Sequence, residues 1–140
     1  MTSGYFFEDL HVGQTATLSK TITEADILMY VAVSLDTNPI HLDEETARQS
    51  RFGGRIAHGM LSAGLISALL GTRLPGLGTI YLSQSLAFRA PVRIGDTVKA
   101  TVEITDLNLP KKRATIRTTC MVKEEMVING EAVVLVPSRP

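Results

Sequence analysis

Cysteine is nearly missing from this chain, and its scarcity closes several routes at once. Among 140 residues only Cys120 carries a thiol, so neither an internal disulfide nor a multi-cysteine metal cluster can form. Excess charge is missing too, because 14 basic and 14 acidic side chains cancel. No global field favours nucleic acid or an anionic membrane, so an anionic ligand must be met by a local patch. A long apolar run is likewise absent. The longest, Met60 to Leu70, is too short to span a bilayer and carries Ser62 and Ser67. Met1 to Leu10 holds acids rather than the basic, apolar character of a signal sequence. These absences lead us to expect a soluble, cytoplasmic protein that binds neither nucleic acid nor membrane.

What remains is an ordinary globular composition, 44% hydrophobic and 20% charged, with no linker, low-complexity tract or repeat. Residues 1–140 read as one compact domain, large enough for a core without disulfides. Its first half has helical signals. Thr15 to Ile22 reads as a strand, and Thr23 with Asp26 forms a capping-box pattern that opens a helix to about Ser34. Pro39 forbids helix around it and pushes Asn38 to extended geometry, so Leu35 to Leu42 reads as an irregular excursion. Asp43 caps a short helix to about Gln49, and Gly53-Gly54 breaks the chain. His58 to about Thr72 predicts a longer helix, apolar all round and therefore buried on every face.

From Thr79 the period changes to two. Ile80, Leu82, Leu86 and Phe88 alternate with polar neighbours, as do Val98, Ala100, Val102 and Ile104. Ile116 to Val122 and Ala132 to Val136 follow, with turns expected at 93–96, 110–112 and Asn129-Gly130. The last pair could instead split the final segment into a hairpin. The class is α+β, a single domain in which an antiparallel sheet wraps around a long central helix. That is the hot-dog arrangement. So small a sheet leaves edges open, which makes pairing with a second copy a reasonable expectation.

Chemistry concentrates in two segments. In Ser34-Leu35-Asp36-Thr37-Asn38-Pro39-Ile40-His41 a carboxylate and an imidazole share a short loop, and together they can hold one water and move protons both ways. The competing reading is turn chemistry with a structural histidine, and spacing alone leaves both open. In Arg55-Ile56-Ala57-His58-Gly59-Met60 the helix begins at a glycine, which lets a ligand approach the positive end of the helix dipole. Here too His58 could be no more than a first-turn residue. Ser67 lies within the apolar helix, where a serine ordinarily bonds its own backbone. Gly71 to Gly78 matches no phosphate loop, and His11 is isolated. Arg89, Arg93, Lys111, Lys112 and Arg113 could reach the phosphates of a nucleotide-bearing substrate, although basic residues in turns are usually just solvated.

Asp36-Thr37-Asn38-Pro39-Ile40-His41-Leu42 resembles the D-x-N-P-[ILV]-H signature of the R-specific enoyl-CoA hydratases of the MaoC-like group. Ala57-His58-Gly59-Met60-Leu61 is similar to that family's start of the central helix, and Gly78 to Leu82, Phe88, Pro91-Val92 and Gly95-Asp96 follow its sheet pattern. The resemblance covers nearly the whole chain, and it is greatest to the short enzymes that supply R-3-hydroxyacyl-CoA for polyhydroxyalkanoate synthesis. It implies a hot-dog homodimer hydrating a short to medium trans-2-enoyl-CoA, with the acyl chain beside the central helix. By this carry-over Asp36 and His41 bind the water, and the Gly59 amide polarises the thioester carbonyl. Asn38, His58, Ser67 and Arg89 are then candidates for contact with the substrate, Asn38 orienting the loop and Ser67 lying near the water. No metal or other cofactor is needed. Leu35 stands where many members carry glycine, which we read as a change in pocket shape.

Two rivals come from other classes. A thioesterase on the same fold would want a carboxylate on or near the central helix, yet Met60 to Leu70 holds no acid or base. A non-catalytic acyl-CoA-binding domain would have no reason to pair Asp36 with His41 beside an oxyanion donor. The choice of carrier, CoA or acyl-carrier protein, and which dyad member is the base stay open.

Overall fold

The computed structural model describes residues 4–140. After a 3-10 turn at Phe7–Asp9, strand β1 runs over Thr15–Thr21. Helix α1, Glu24–Ser34, opens with the expected capping box: the Thr23 amide donates to Asp26 Oδ2 (2.9 Å) and the Asp26 amide to Thr23 Oγ1 (3.2 Å). Three further helices follow, α2 at Pro39–Leu42, α3 at Glu44–Arg48 and α4 at Gly59–Thr72. The rest is sheet, with β2 at Ile80–Gln84, β3 at Ala87–Phe88, β4 at Thr97–Asn108, β5 at Arg113–Val122 and β6 at Glu125–Leu135.

All strand pairs are antiparallel, in the order β1-β4-β5-β6-β2, with β3 also against β6. The period of two does the sorting. In β4 Val98, Ala100, Val102 and Ile104 are wholly buried, as are Ala114, Ile116 and Cys120 of β5. They close on Ile66, Leu69 and Leu70 of α4, the helix that the sheet wraps. The hot-dog arrangement expected from the pattern is therefore the one observed. Burial pushes the Cys120 thiol up to about 11, and its S–H points at the Ser62 carbonyl (3.7 Å), so it behaves as a core atom. Among the described residues no helix is long and apolar enough to cross a membrane.

Three expectations need correcting. Pro39 does not keep its neighbourhood non-helical: it takes the first position of α2, where its missing N–H is no loss. Asn129-Gly130 is neither turn nor hairpin tip. Both residues lie inside β6, and the hairpin turns instead at Lys123-Glu124. Gly130 is there because the chain after β2 crosses directly over it; a Cβ would sit 1.9 Å from the Ser85 carbonyl oxygen. Finally, α4 is not buried on every face. Met60, Gly64, Ser67 and Gly71, spaced along one stripe, are exposed in the single chain.

Candidate active site

The site grows from the C-terminal end of α1. Leu35 ends that helix in the left-handed region (φ 64°), with its amide on the Val31 carbonyl (2.8 Å). Its side chain is 80% exposed, so the departure from glycine at this position acts on the backbone, whose conformation suits glycine better. The turn delivers Asp36, whose amide donates to Ser34 Oγ (3.1 Å). Two Asx turns then follow one another: the Asn38 amide donates to Asp36 Oδ1 (3.2 Å), and the Ile40 amide to Asn38 Oδ1 (3.1 Å). Asn38 thereby caps α2, and His41 rides on that single turn.

His41 is buried, and its Nδ1 lies 2.8 Å from the Ile56 carbonyl. A carbonyl can only accept, so Nδ1 carries the hydrogen and Nε2 holds the lone pair of the neutral ring. His58 is the N-cap residue of α4, 2% exposed, and its Nε2 donates to the backbone carbonyl of Asp36 (3.0 Å). The two imidazoles stack, with centroids 3.7 Å apart and planes 28° apart, and the Tyr30 ring tilts against His58 at 4.6 Å. One carboxylate oxygen of Asp36 and one ring nitrogen from each histidine lie within 4.8 Å of one another.

Such a trio has the residue types of a metal site. A carboxylate beside an imidazole with a fixed tautomer is equally suited to a small molecule that both donates and accepts protons.

Gly59 follows His58 at the start of α4. No side chain caps this helix, so its first amides stay available at the positive end of the dipole. A Cβ at Gly59 would meet the Phe88 ring at 2.5 Å, so the glycine is what lets that ring pack against the start of α4. Two cavities flank this point, and Met60 borders both. One, of about 510 Å³, is walled by Phe88, Val92 and Ile128 and carries the cations Arg51 and Arg89 at its rim. The other, of about 520 Å³, is lined by Tyr30, Ala63, Ser67, Tyr81 and Leu86.

Asp36, Asn38, His41, His58 and Gly59 thus come together, while Arg89 and Ser67 fall in different cavities. Arg89 also donates from Nε to Asn129 Oδ1 (2.7 Å). Arg93, Lys111, Lys112 and Arg113 do not line the cavity beside Gly59; Arg51 does, and sequence reasoning missed it. Also missed was Arg55. Its Nε donates to the His41 carbonyl (2.8 Å), and its two terminal nitrogens grip both oxygens of Glu24 (2.9 and 3.0 Å). Ser62 was passed over as a polar interruption, yet it is buried at the floor of the cavity beside Gly59, with its hydroxyl unpartnered. No local pattern signals these roles, which arise only when distant segments meet.

The comparisons with known proteins point one way. A family model described as a MaoC like domain matches residues 9–128. An (R)-specific enoyl-CoA hydratase from Rhodospirillum rubrum is 59% identical over 135 residues, covering 96% of this chain and 94% of that protein. A 3-hydroxybutyryl-CoA dehydratase from Methylorubrum extorquens is 52% identical, covering 96% and 85%. Among solved structures, the (R)-hydratase from Aeromonas caviae involved in PHA biosynthesis superposes with a TM-score of 0.90 at 46% identity, covering 93% of this chain and 99% of that one.

Proposed function

The chain belongs to the MaoC-like domain family, and from that premise we propose that it is a hydro-lyase performing R-specific hydration of trans-2-enoyl-CoA to R-3-hydroxyacyl-CoA, reversibly. The observation that carries this reading is the convergence of Asp36 and His41 beside the uncapped first turn of α4. Hydration places hydroxyl on C3 and a proton on C2, and between these events charge moves onto the thioester oxygen. A preorganised amide such as that of Gly59 lowers that barrier. Asp36 and His41 share the proton transfers: one proton leaves the water that attacks C3, and one is delivered to C2. No residue of α4 offers a carboxylate for the thioesterase alternative.

The two cavities that meet at Met60 suit the two ends of such a substrate. The pocket lined by Tyr30, Tyr81 and Leu86 suits the acyl chain, with Ser67 near its reacting end. Arg51 and Arg89 offer charge to the carrier's phosphates. Likeness to the (R)-hydratase from Aeromonas caviae involved in PHA biosynthesis favours short to medium acyl chains and a part in polyhydroxyalkanoate synthesis. We further propose a homodimer. β2 is an edge strand whose Ile80, Tyr81 and Leu82 are all exposed, and it lies beside the open stripe of α4. An acyl-CoA substrate agrees with a cytoplasmic setting.

The test is a panel of 2-enoyl-CoA esters of increasing length, followed by enoyl absorbance, chiral analysis of product and free-thiol release. Loss of the conjugated absorbance with R product is expected. Thiol release without hydration, or S product, would overturn the reading.

A further inference from the structure

The segment Arg55-Ile56-Ala57-His58 touches the loop that carries the dyad at four points. Arg55 Nε holds the His41 carbonyl (2.8 Å), and the Ile56 amide holds the Ile40 carbonyl (3.2 Å). The Ile56 carbonyl holds the His41 ring (2.8 Å), and His58 Nε2 holds the Asp36 carbonyl (3.0 Å). The backbone carbonyls of both dyad residues are therefore gripped by side chains from one short stretch. That stretch is itself anchored: the Ala57 amide bonds the Val92 carbonyl (2.7 Å), and Arg55 is locked to Glu24 on α1.

Resting on the hydratase reading, we infer that His58 and Arg55 are positioning residues, which fix Asp36 and His41 through their backbone carbonyls and do not touch the substrate. Two observations separate this from simple packing. His58 is almost wholly buried and leaves Nδ1 without a partner, a poor choice for a core position that an apolar ring would fill better. The ring's remaining polar contact goes to Asp36, and its face lies on His41, so the specific interactions of the ring are with the dyad and with Tyr30. Each of the three side-chain nitrogens of Arg55 is engaged, with α1 or with the His41 carbonyl, which holds the guanidinium away from a ligand.

The experiment compares His58→Phe, His58→Gln and Arg55→Met as folded, full-length proteins. Phenylalanine keeps a ring against His41 but loses the donor, whereas glutamine returns a donor at the same reach. With crotonyl-CoA, His58→Phe should lower kcat by about 10–100-fold and leave KM within about 3-fold, because a small misplacement of reacting groups costs on this order. His58→Gln should recover to within about 5-fold of the parent, and Arg55→Met should lose about 10-fold in kcat with KM similarly unmoved. Amide hydrogen exchange supplies a readout independent of activity: the Asn38, Ile40 and His41 amides, now hydrogen-bonded within the loop, should exchange roughly 10-fold faster in His58→Phe and Arg55→Met.

Parent-like kcat and exchange in folded His58→Phe and Arg55→Met would overturn the inference, as would a His58→Gln variant no better than His58→Phe. A large rise in KM with kcat unchanged would return His58 to the substrate contacts. If His58→Phe fails to fold, Arg55→Met and His58→Gln still decide the matter. Should the parent itself hydrate nothing, the hydratase reading falls, and the exchange data alone judge the clamp.

Discussion

β4, β5 and β6 are joined by long backbone ladders, each interrupted by one irregularity, after Ile104 and after Cys120, and seal wholly buried aliphatics against α4, whereas residues 35–58 make one short helical turn after another. In that second region side chains also grip the backbone: Asp36 and Asn38 on the next amides, Arg55 and His58 on the dyad carbonyls. The sheet region derives its stability from repeated burial, where any one residue adds to a sum. The loop region depends on a few specific hydrogen bonds, where any one residue fixes an angle. Catalytic placement needs the second kind of order, supported on the first.

That contrast can be broken or sharpened by substitution. The largest effect expected is on turnover at the dyad: His41→Ala should lower kcat by roughly 10²–10⁴-fold, far more than the loss of one buried, hydrogen-bonded ring lowers stability, about 1–3 kcal/mol by urea titration. Adding Asp36→Asn should cost little more, since groups acting as one unit are not additive. Next comes Gly59→Ala. The added methyl must displace the Phe88 ring and so shift the start of α4 with its first amide, for an expected loss of about 10²-fold in kcat/KM.

The sheet side should answer in the opposite way. Ile66→Ala removes a wholly buried side chain of α4 and should cost about 2–5 kcal/mol by denaturant titration, yet the protein that remains folded should turn over at nearly the parental rate. A loss of turnover to match would show that the two regions are not separable. The smallest effect expected is a gain. Leu35→Gly relieves a left-handed residue whose side chain is exposed, and should stabilise by about 1 kcal/mol, raising the thermal midpoint by a few degrees.

The same contrast explains what could be read in advance. The alternation of Val98 to Ile104 places those residues in a sheet without further information, and the capping box at Thr23 and Asp26 marks the start of α1 for the same local reason. Asn129-Gly130 misled because its glycine answers to Ser85, 45 residues earlier, and not to a turn. Pro39 misled because the rule against proline in helices does not apply to the first position. Asp36 and His41 were legible as a pair from their motif. Their supports were not, because Arg55, His58 and Ile56 reach them from 14 to 22 residues away, and only the folded chain brings the donors to those carbonyls.

The most direct test of the central claim is the turnover of Asp36→Asn. The substitution keeps the size of the side chain and an oxygen for the Asn38 amide, so the loop should hold its shape while the carboxylate is lost. On crotonyl-CoA, with folding verified by circular dichroism, we predict a kcat at least about 10²-fold below the parent and a KM of the same order. Near-parental turnover in the folded variant would contradict the account, leaving Asp36 a turn residue and the hydration chemistry without its dyad.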